Sequence, residues 1–140
     1  MLPLRRSRKY LREEKTYENL ITTLEEISSE NSSGKLLILV EGKNDLIALR
    51  KLGFNGPIKT IKGRKLSDLI DEVYLEYKRV LVLSDWDNEG ERLYKEIRYL
   101  LESYGVRVED KYRRIIKSIT KREIKDVEGL LSFVKHINLK

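Results

Sequence analysis

Two short runs made almost entirely of Leu, Ile and Val, residues 35–40 and 80–83, constrain this chain more than any other feature. A continuous apolar run of that length suits a strand covered on both faces, the situation of a parallel sheet packed between helices. The segments around them have the helical period. Tyr10, Tyr17, Leu20, Ile21, Leu24 and Ile27 recur at three, four and seven, which predicts a helix over 8–30, ended by Asn31-Ser32-Ser33-Gly34. A short helix is expected over 46–52, capped by Asn44 or Asp45 and stopped by Gly53. After the Gly56-Pro57 turn, 58–61 reads as a strand, and Ser67 as the cap of a helix that buries Leu66, Leu69, Ile70, Val73 and Tyr77. A helix over 90–104 and an extended segment at 106–108 follow. Residues 113–119 alternate as Arg113, Ile115, Lys117 against Arg114, Ile116, Ser118, which predicts a poor core strand at a sheet edge. Asp126 can cap a last helix through 133.

Strand alternating with helix implies an α/β protein: a compact, mostly parallel sheet of about four strands, right-handed crossovers, and helices on both faces. The organisation expected is a basic amphipathic helix at 1–33, the sheet domain at 34–118 and a helical extension at 119–140. A chain of 140 residues is one domain's worth and buries enough surface for one core. No internal repeat is visible.

The charge is uneven. The formal net charge is +6, yet residues 1–15 carry six basic and two acidic groups, and residues 111–125 carry seven and one. A mildly acidic body between two basic segments points to a polyanionic partner, most simply nucleic acid; solvated helix faces are the plainer alternative. With no cysteine there are no disulfides, thiolate metal sites or cysteine nucleophiles. No stretch reaches the roughly 18 to 20 apolar residues of a membrane span, and the basic start has no apolar signal region, so a cytoplasmic protein is expected. The absence of Gln and the abundance of Lys, Glu and Arg match a thermophile's composition.

Ligands of doubly wound sheets bind beyond the carboxyl ends of the strands. There the first apolar run ends in Glu41-Gly42 and the other in Ser84-Asp85-Trp86-Asp87-Asn88-Glu89-Gly90-Glu91. If the strands are neighbours, about 4.8 Å apart, Glu41 faces Asp85 and Asp87 across a small gap. Converging carboxylates repel and raise one another's proton affinity, and a divalent cation between them relieves this. Oxygen ligands without His or Cys select a hard ion, Mg²⁺ or Mn²⁺, one or two in number. Glu91 reads as a complement to its helix dipole.

The Glu41-Gly42-Lys43-Asn44-Asp45 run after one buried strand and Asp85-Trp86-Asp87-Asn88-Glu89-Gly90-Glu91 after another resemble the Toprim domain. That domain is shared by type IA topoisomerases, bacterial primases, OLD-type nucleases, recombination mediators and rRNA-maturing nucleases. The resemblance covers roughly residues 34 to 118, and the short chain is similar to the small stand-alone Toprim proteins of archaea. It implies a Rossmann-like Toprim fold. It also implies Glu41 as general acid or base and metal ligand, Asp85 and Asp87 as metal ligands, and Glu89 as an acidic position found in some branches. Crowding by Asp85 and Asp87 is expected to raise the proton affinity of Glu41, which suits proton transfer.

Lys62-Gly63-Arg64-Lys65, Lys43 and Arg92 are candidate phosphate contacts, with surface turns and local ion pairs as the plain alternatives. The N-terminal Arg5, Arg6, Arg8, Lys9 and Arg12 could track a phosphate backbone. Trp86, between the two aspartates, is expected to pack rather than stack on a base, and His136 to sit near a helix end. Strand passage needs further domains, and no GxxxxGK[ST] loop is present for nucleotide binding. The expectation is therefore a Mg²⁺-binding protein acting on nucleic acid, a nuclease with RNA favoured over DNA. The alternatives are a non-catalytic adaptor of the translation or repair machinery, and a nucleotide phosphotransferase.

Overall fold

The computed structural model describes residues 8–138. Its elements are α1 (Arg8–Ser32), β1 (Leu37–Val40), α2 (Lys43–Lys51), β2 (Ile58–Thr60), α3 (Leu66–Glu76), β3 (Arg79–Leu83), α4 (Asn88–Ser103), β4 (Arg107–Val108), α5 (Lys111–Thr120) and α6 (Val127–Asn138). The four strands pair in parallel in the order β2-β1-β3-β4, with Val40 opposite both Thr60 and Leu83.

The apolar runs are continuous because each strand serves two cores. Leu36, Ile38, Val40, Leu81 and Leu83 face one layer, filled by α1, α2, α5 and α6. Leu37, Leu39, Val80 and Val82 face the other, filled by α3 and α4. Each such side chain contributes roughly 1.5–3 kcal/mol by leaving water. At the amino-terminal edge the buried Asn31 ties α1 to the sheet, donating to the carbonyls of Leu36 and Pro57 and accepting from Gly56 N–H, each at 2.9 Å.

The chain leaves β1 for one face through α2 and leaves β3 for the other through α4. The connections diverge between β1 and β3, and a crevice opens above their carboxyl ends, as at other topological switch points.

Three local expectations are corrected. Residues 113–119 lie in α5, not in an edge strand. Arg113, Ile116 and Thr120 share one helical face, and burying that face outweighs the superficial alternation. Ser67 does not cap α3, which begins at Leu66 after Lys65. Helix α2 begins at Lys43 after Gly42, and Asp45, in its first turn, accepts the Gly42 N–H at 3.1 Å. Asp126 does cap α6, accepting from Gly129 N–H at 2.7 Å, but that helix runs on to Asn138. Arg5 and Arg6, and the side chains of Arg8, Lys9 and Arg12, lie outside the described residues. No helix among the described residues is long and apolar enough to cross a membrane.

Candidate functional site

Glu41 follows the last residue of β1, and the parallel register sets it beside the end of β3. Its Oε2 accepts the backbone N–H of Asp85 at 2.6 Å, so two segments 44 residues apart are joined at the crevice floor. The Asp85 carbonyl is held from the opposite side by Arg113 Nη2 at 3.0 Å.

Arg113, only 2% exposed, lies under the whole turn. It donates to the carbonyls of Val82 (3.2 Å) and Ser84 (2.7 Å) and to Glu91 Oε1 (2.7 Å), and its guanidinium sits 4.5 Å from the centroid of the Tyr94 ring. A planar guanidinium has the donors and the fork geometry to satisfy several carbonyls at once; a lysine does not. Glu91 is thus the partner of a buried cation, a stronger role than dipole complement.

The loop closes tightly around this centre. A Cβ at Gly90 would lie 1.8 Å from the Asp85 carbonyl oxygen, so only glycine lets α4 start here. Ser84 Oγ donates to the Gly90 carbonyl at 2.9 Å. Asp87 caps α4, its Oδ1 accepting Gly90 N–H at 2.7 Å. Trp86 is buried in the α1–α2–α5–α6 layer, as expected of a packing residue. Its backbone N–H donates to the carbonyl of Lys125 at 2.7 Å and its Nε1 to that of Ile124 at 3.0 Å.

Beside Asp85 opens a cleft of about 250 Å³, with Asp45, Asp126 and Glu128 on its wall together with Lys43 and Lys62. Asp45 bridges its parts, accepting from Gly42 N–H and from Glu128 N–H, each at 3.1 Å. Burial raises the proton affinity of Asp45, and the charges of Asp126 and Glu41 add to the rise. The larger shift falls on Asp85, whose pKa is pushed up to about 7, first by burial and then by the negative charges of Glu41, Asp45 and Asp126.

The candidate residues therefore separate. Glu41 and Asp85 meet directly, and Lys43 and Lys62 reach the cleft. Asp87 is engaged in the cap, while Glu89 and Arg92 are exposed on α4 and do not line the cleft. Arg64 joins Lys59 in pairing with Glu72 of α3, which holds that carboxyl at a pKa of about 2, and exposed Lys65 precedes α3. Among the described residues, no three acidic or histidine side chains converge closely enough to hold a metal ion as they stand. The donor chemistry still fits Mg²⁺. That ion takes one or two carboxylates and completes its shell with water and phosphate oxygens, and the field that keeps a proton on Asp85 is one a cation would relieve.

Asp45, Asp126, Glu128 and Arg113 are the site residues that sequence reasoning missed. Asp45 was visible as a cap and within the Glu41–Asp45 run but without a role in the site, Asp126 only as a cap, and Arg113 only as part of the basic segment read as a strand.

A family profile described as the Toprim domain matches residues 36–119. A UPF0292 protein of Pyrococcus abyssi is 34% identical over 131 residues, covering 94% of this chain and 93% of its own. A UPF0292 protein of Methanosarcina barkeri is 32% identical over 127 residues, covering 89% of each. A solved protein of Aquifex aeolicus superposes with a TM-score of 0.68 at 30% identity, over 79% of this chain and 96% of that one.

Proposed function

The chain belongs to the Toprim-domain family, and from that premise we propose that it is a Mg²⁺-dependent nuclease that cleaves phosphodiester bonds, with structured RNA favoured over DNA. The observation that carries this reading is the contact between Glu41 and Asp85 at the switch point, in a field that raises the Asp85 pKa to about 7. Family membership supports a metal-binding, nucleic-acid-related role; cleavage and the preference for RNA are the added steps.

On this reading Asp85 and Glu41 hold the ion, and Asp87 contributes through the oxygen left over from its cap. A bound Mg²⁺ or Mn²⁺ would supply Lewis-acid neutralisation of the charge that builds up as water attacks the phosphodiester. Glu41, fixed by the Asp85 N–H, relays the proton between water and the leaving oxygen. Lys43 and Lys62 hold phosphate at the cleft mouth. Asp45 and Asp126 keep the local field negative, so the cleft prefers a cation–phosphate pair to a bare anion.

Two observations favour a second reading. The cap on Asp87 and the lack of three converging acids among the described residues suit an adaptor that binds a strand without cutting it. The test is cleavage of labelled structured RNA and of single- and double-stranded DNA with Mg²⁺ or Mn²⁺, comparing the intact protein with Asp85→Asn. Metal-dependent cutting by the intact protein alone supports the nuclease. Equal cutting by both preparations, or none by either, refutes it, and strand binding without cutting leaves the adaptor.

A further inference from the structure

The second basic segment lies on a helix, and that changes what it can do. Arg113, Ile116 and Thr120 occupy the buried face of α5. Lys111, Arg114, Ser118 and Lys121 follow at intervals of three, four and three on the opposite, exposed face, with half-buried Lys117 beside them. Arg122 and Lys125, both exposed, follow in the turn before α6. Ten helical residues at 1.5 Å each make α5 about 15 Å long. Among the described residues, only Arg114 and Lys117 of these six cations are ion-paired, Arg114 with Asp110 on its own helix and Lys117 with Glu91.

The row is fixed to the candidate site at two points. Arg113 reaches from the inner face of α5 to the carbonyls of Ser84 and Asp85. Trp86 donates to the carbonyls of Ile124 and Lys125, which pins the α5–α6 turn to the loop between Asp85 and Asp87. Exposed Lys125 is followed directly by Asp126 on the cleft wall, so the end of the basic segment adjoins the acidic cleft.

We infer that the exposed face of α5 and its following turn form the track for the sugar–phosphate backbone of a nucleic-acid strand, delivering it to the cleft at Asp85. Charge complementarity identifies the occupant: a linear row of cations matches a chain of evenly spaced phosphates, and neutralising each one releases counterions. The inference rests on the nucleic-acid reading of the site and adds the surface that would hold the strand.

The test measures binding of fluorescein-labelled single-stranded and duplex RNA and DNA by anisotropy, in EDTA so that no strand is cut. Three proteins are compared: the intact chain, the triple variant Arg114→Ala/Lys121→Ala/Lys125→Ala, and the charge-matched control Lys35→Ala/Lys78→Ala/Lys95→Ala, whose exposed lysines lie elsewhere. The track variant should lose about tenfold or more in affinity near 0.1 M salt and about two to three units of slope in log Kd against log salt, with the control close to the intact protein. Strand binding that the track variant retains, or loses no more than the control does, overturns the track and leaves the nuclease reading standing. Binding of no strand by the intact protein in EDTA overturns the track, whereas the nuclease reading, which requires Mg²⁺, is decided by the cleavage assay. Equal binding of poly-glutamate also overturns the track, because the surface would then recognise negative charge alone.

Discussion

Replacing Asp85 by Asn should stabilise the metal-free protein at pH 8, by progressively less toward pH 5, and leave it almost unchanged only below pH 4. The folded-state pKa of Asp85 is about 7 against an ordinary 3.8, so between those values the native state holds a proton that the unfolded chain has released. Stability is then fully present below pH 4, falls as pH rises through the window to about 7, and stays flat above it. The full shift would correspond to about 4 kcal/mol at 1.36 kcal/mol per unit. Partial solvent access reduces this to roughly 1–2 kcal/mol. For a chain of this size that is about 3–6 °C in melting temperature. The assay is thermal unfolding by circular dichroism in EDTA at pH 5, 6, 7 and 8 for both proteins. Asp45 is shifted in the same direction, and because its charge and that of Asp85 act on each other, removing the Asp85 charge eases Asp45 as well and adds to the expected effect in the same direction. A difference between the two proteins that does not change with pH would refute the reasoning, because the field of Glu41, Asp45 and Asp126 would then not act on Asp85.

Bound Mg²⁺ must displace the Asp85 proton, so the rise in melting temperature at saturating Mg²⁺ should be larger at pH 8 than at pH 6, and Asp85→Asn should abolish it. Arg113→Met removes a buried donor from three carbonyls and leaves the Glu91 carboxylate with Lys117 alone, and should cost about 3–5 kcal/mol, read from urea midpoints. Gly90→Ala pushes the Asp85 carbonyl away from a Cβ that would sit at 1.8 Å; about 1–3 kcal/mol of stability and the Mg²⁺-induced shift should both be lost. Asp87→Ala should cost about 1 kcal/mol through the lost cap, whereas Asp87→Asn keeps an acceptor there. Cleavage that falls in the Asn variant at unchanged melting temperature would assign Asp87 a metal role as well.

The sheet and the meeting of Glu41 with Asp85 were legible because both follow from local patterns. Continuous apolar runs mark doubly covered strands, and residues at the ends of adjacent parallel strands must be neighbours. Helix α5 was misread because Arg113 looks like a surface residue. A guanidinium that satisfies three carbonyls and a carboxylate is stable in the interior, and nothing in a window of seven residues announces partners 22 to 31 positions away. Asp45 and Asp126 reach the cleft through packing of α2 on α6, a contact between segments about 80 residues apart that local spacing does not encode. The rise in proton affinity at Asp85 was hidden for a related reason: it comes from burial and from neighbours such as Asp45, neither visible before the fold.

Trp86 is the chain's only tryptophan, and it sits between Asp85 and Asp87 with its indole N–H bonded to the Ile124 carbonyl. All indole emission from this protein therefore originates at one place, where the acidic loop meets the end of the cationic row. The molecule carries its own optical reporter. Rearrangement of the loop on ion binding, or displacement of the α5–α6 turn by a docked strand, changes the surroundings of a single fluorophore and is readable by titration of the unlabelled protein. Tyrosines, eight in all, can be left dark by exciting at the red edge of the indole band.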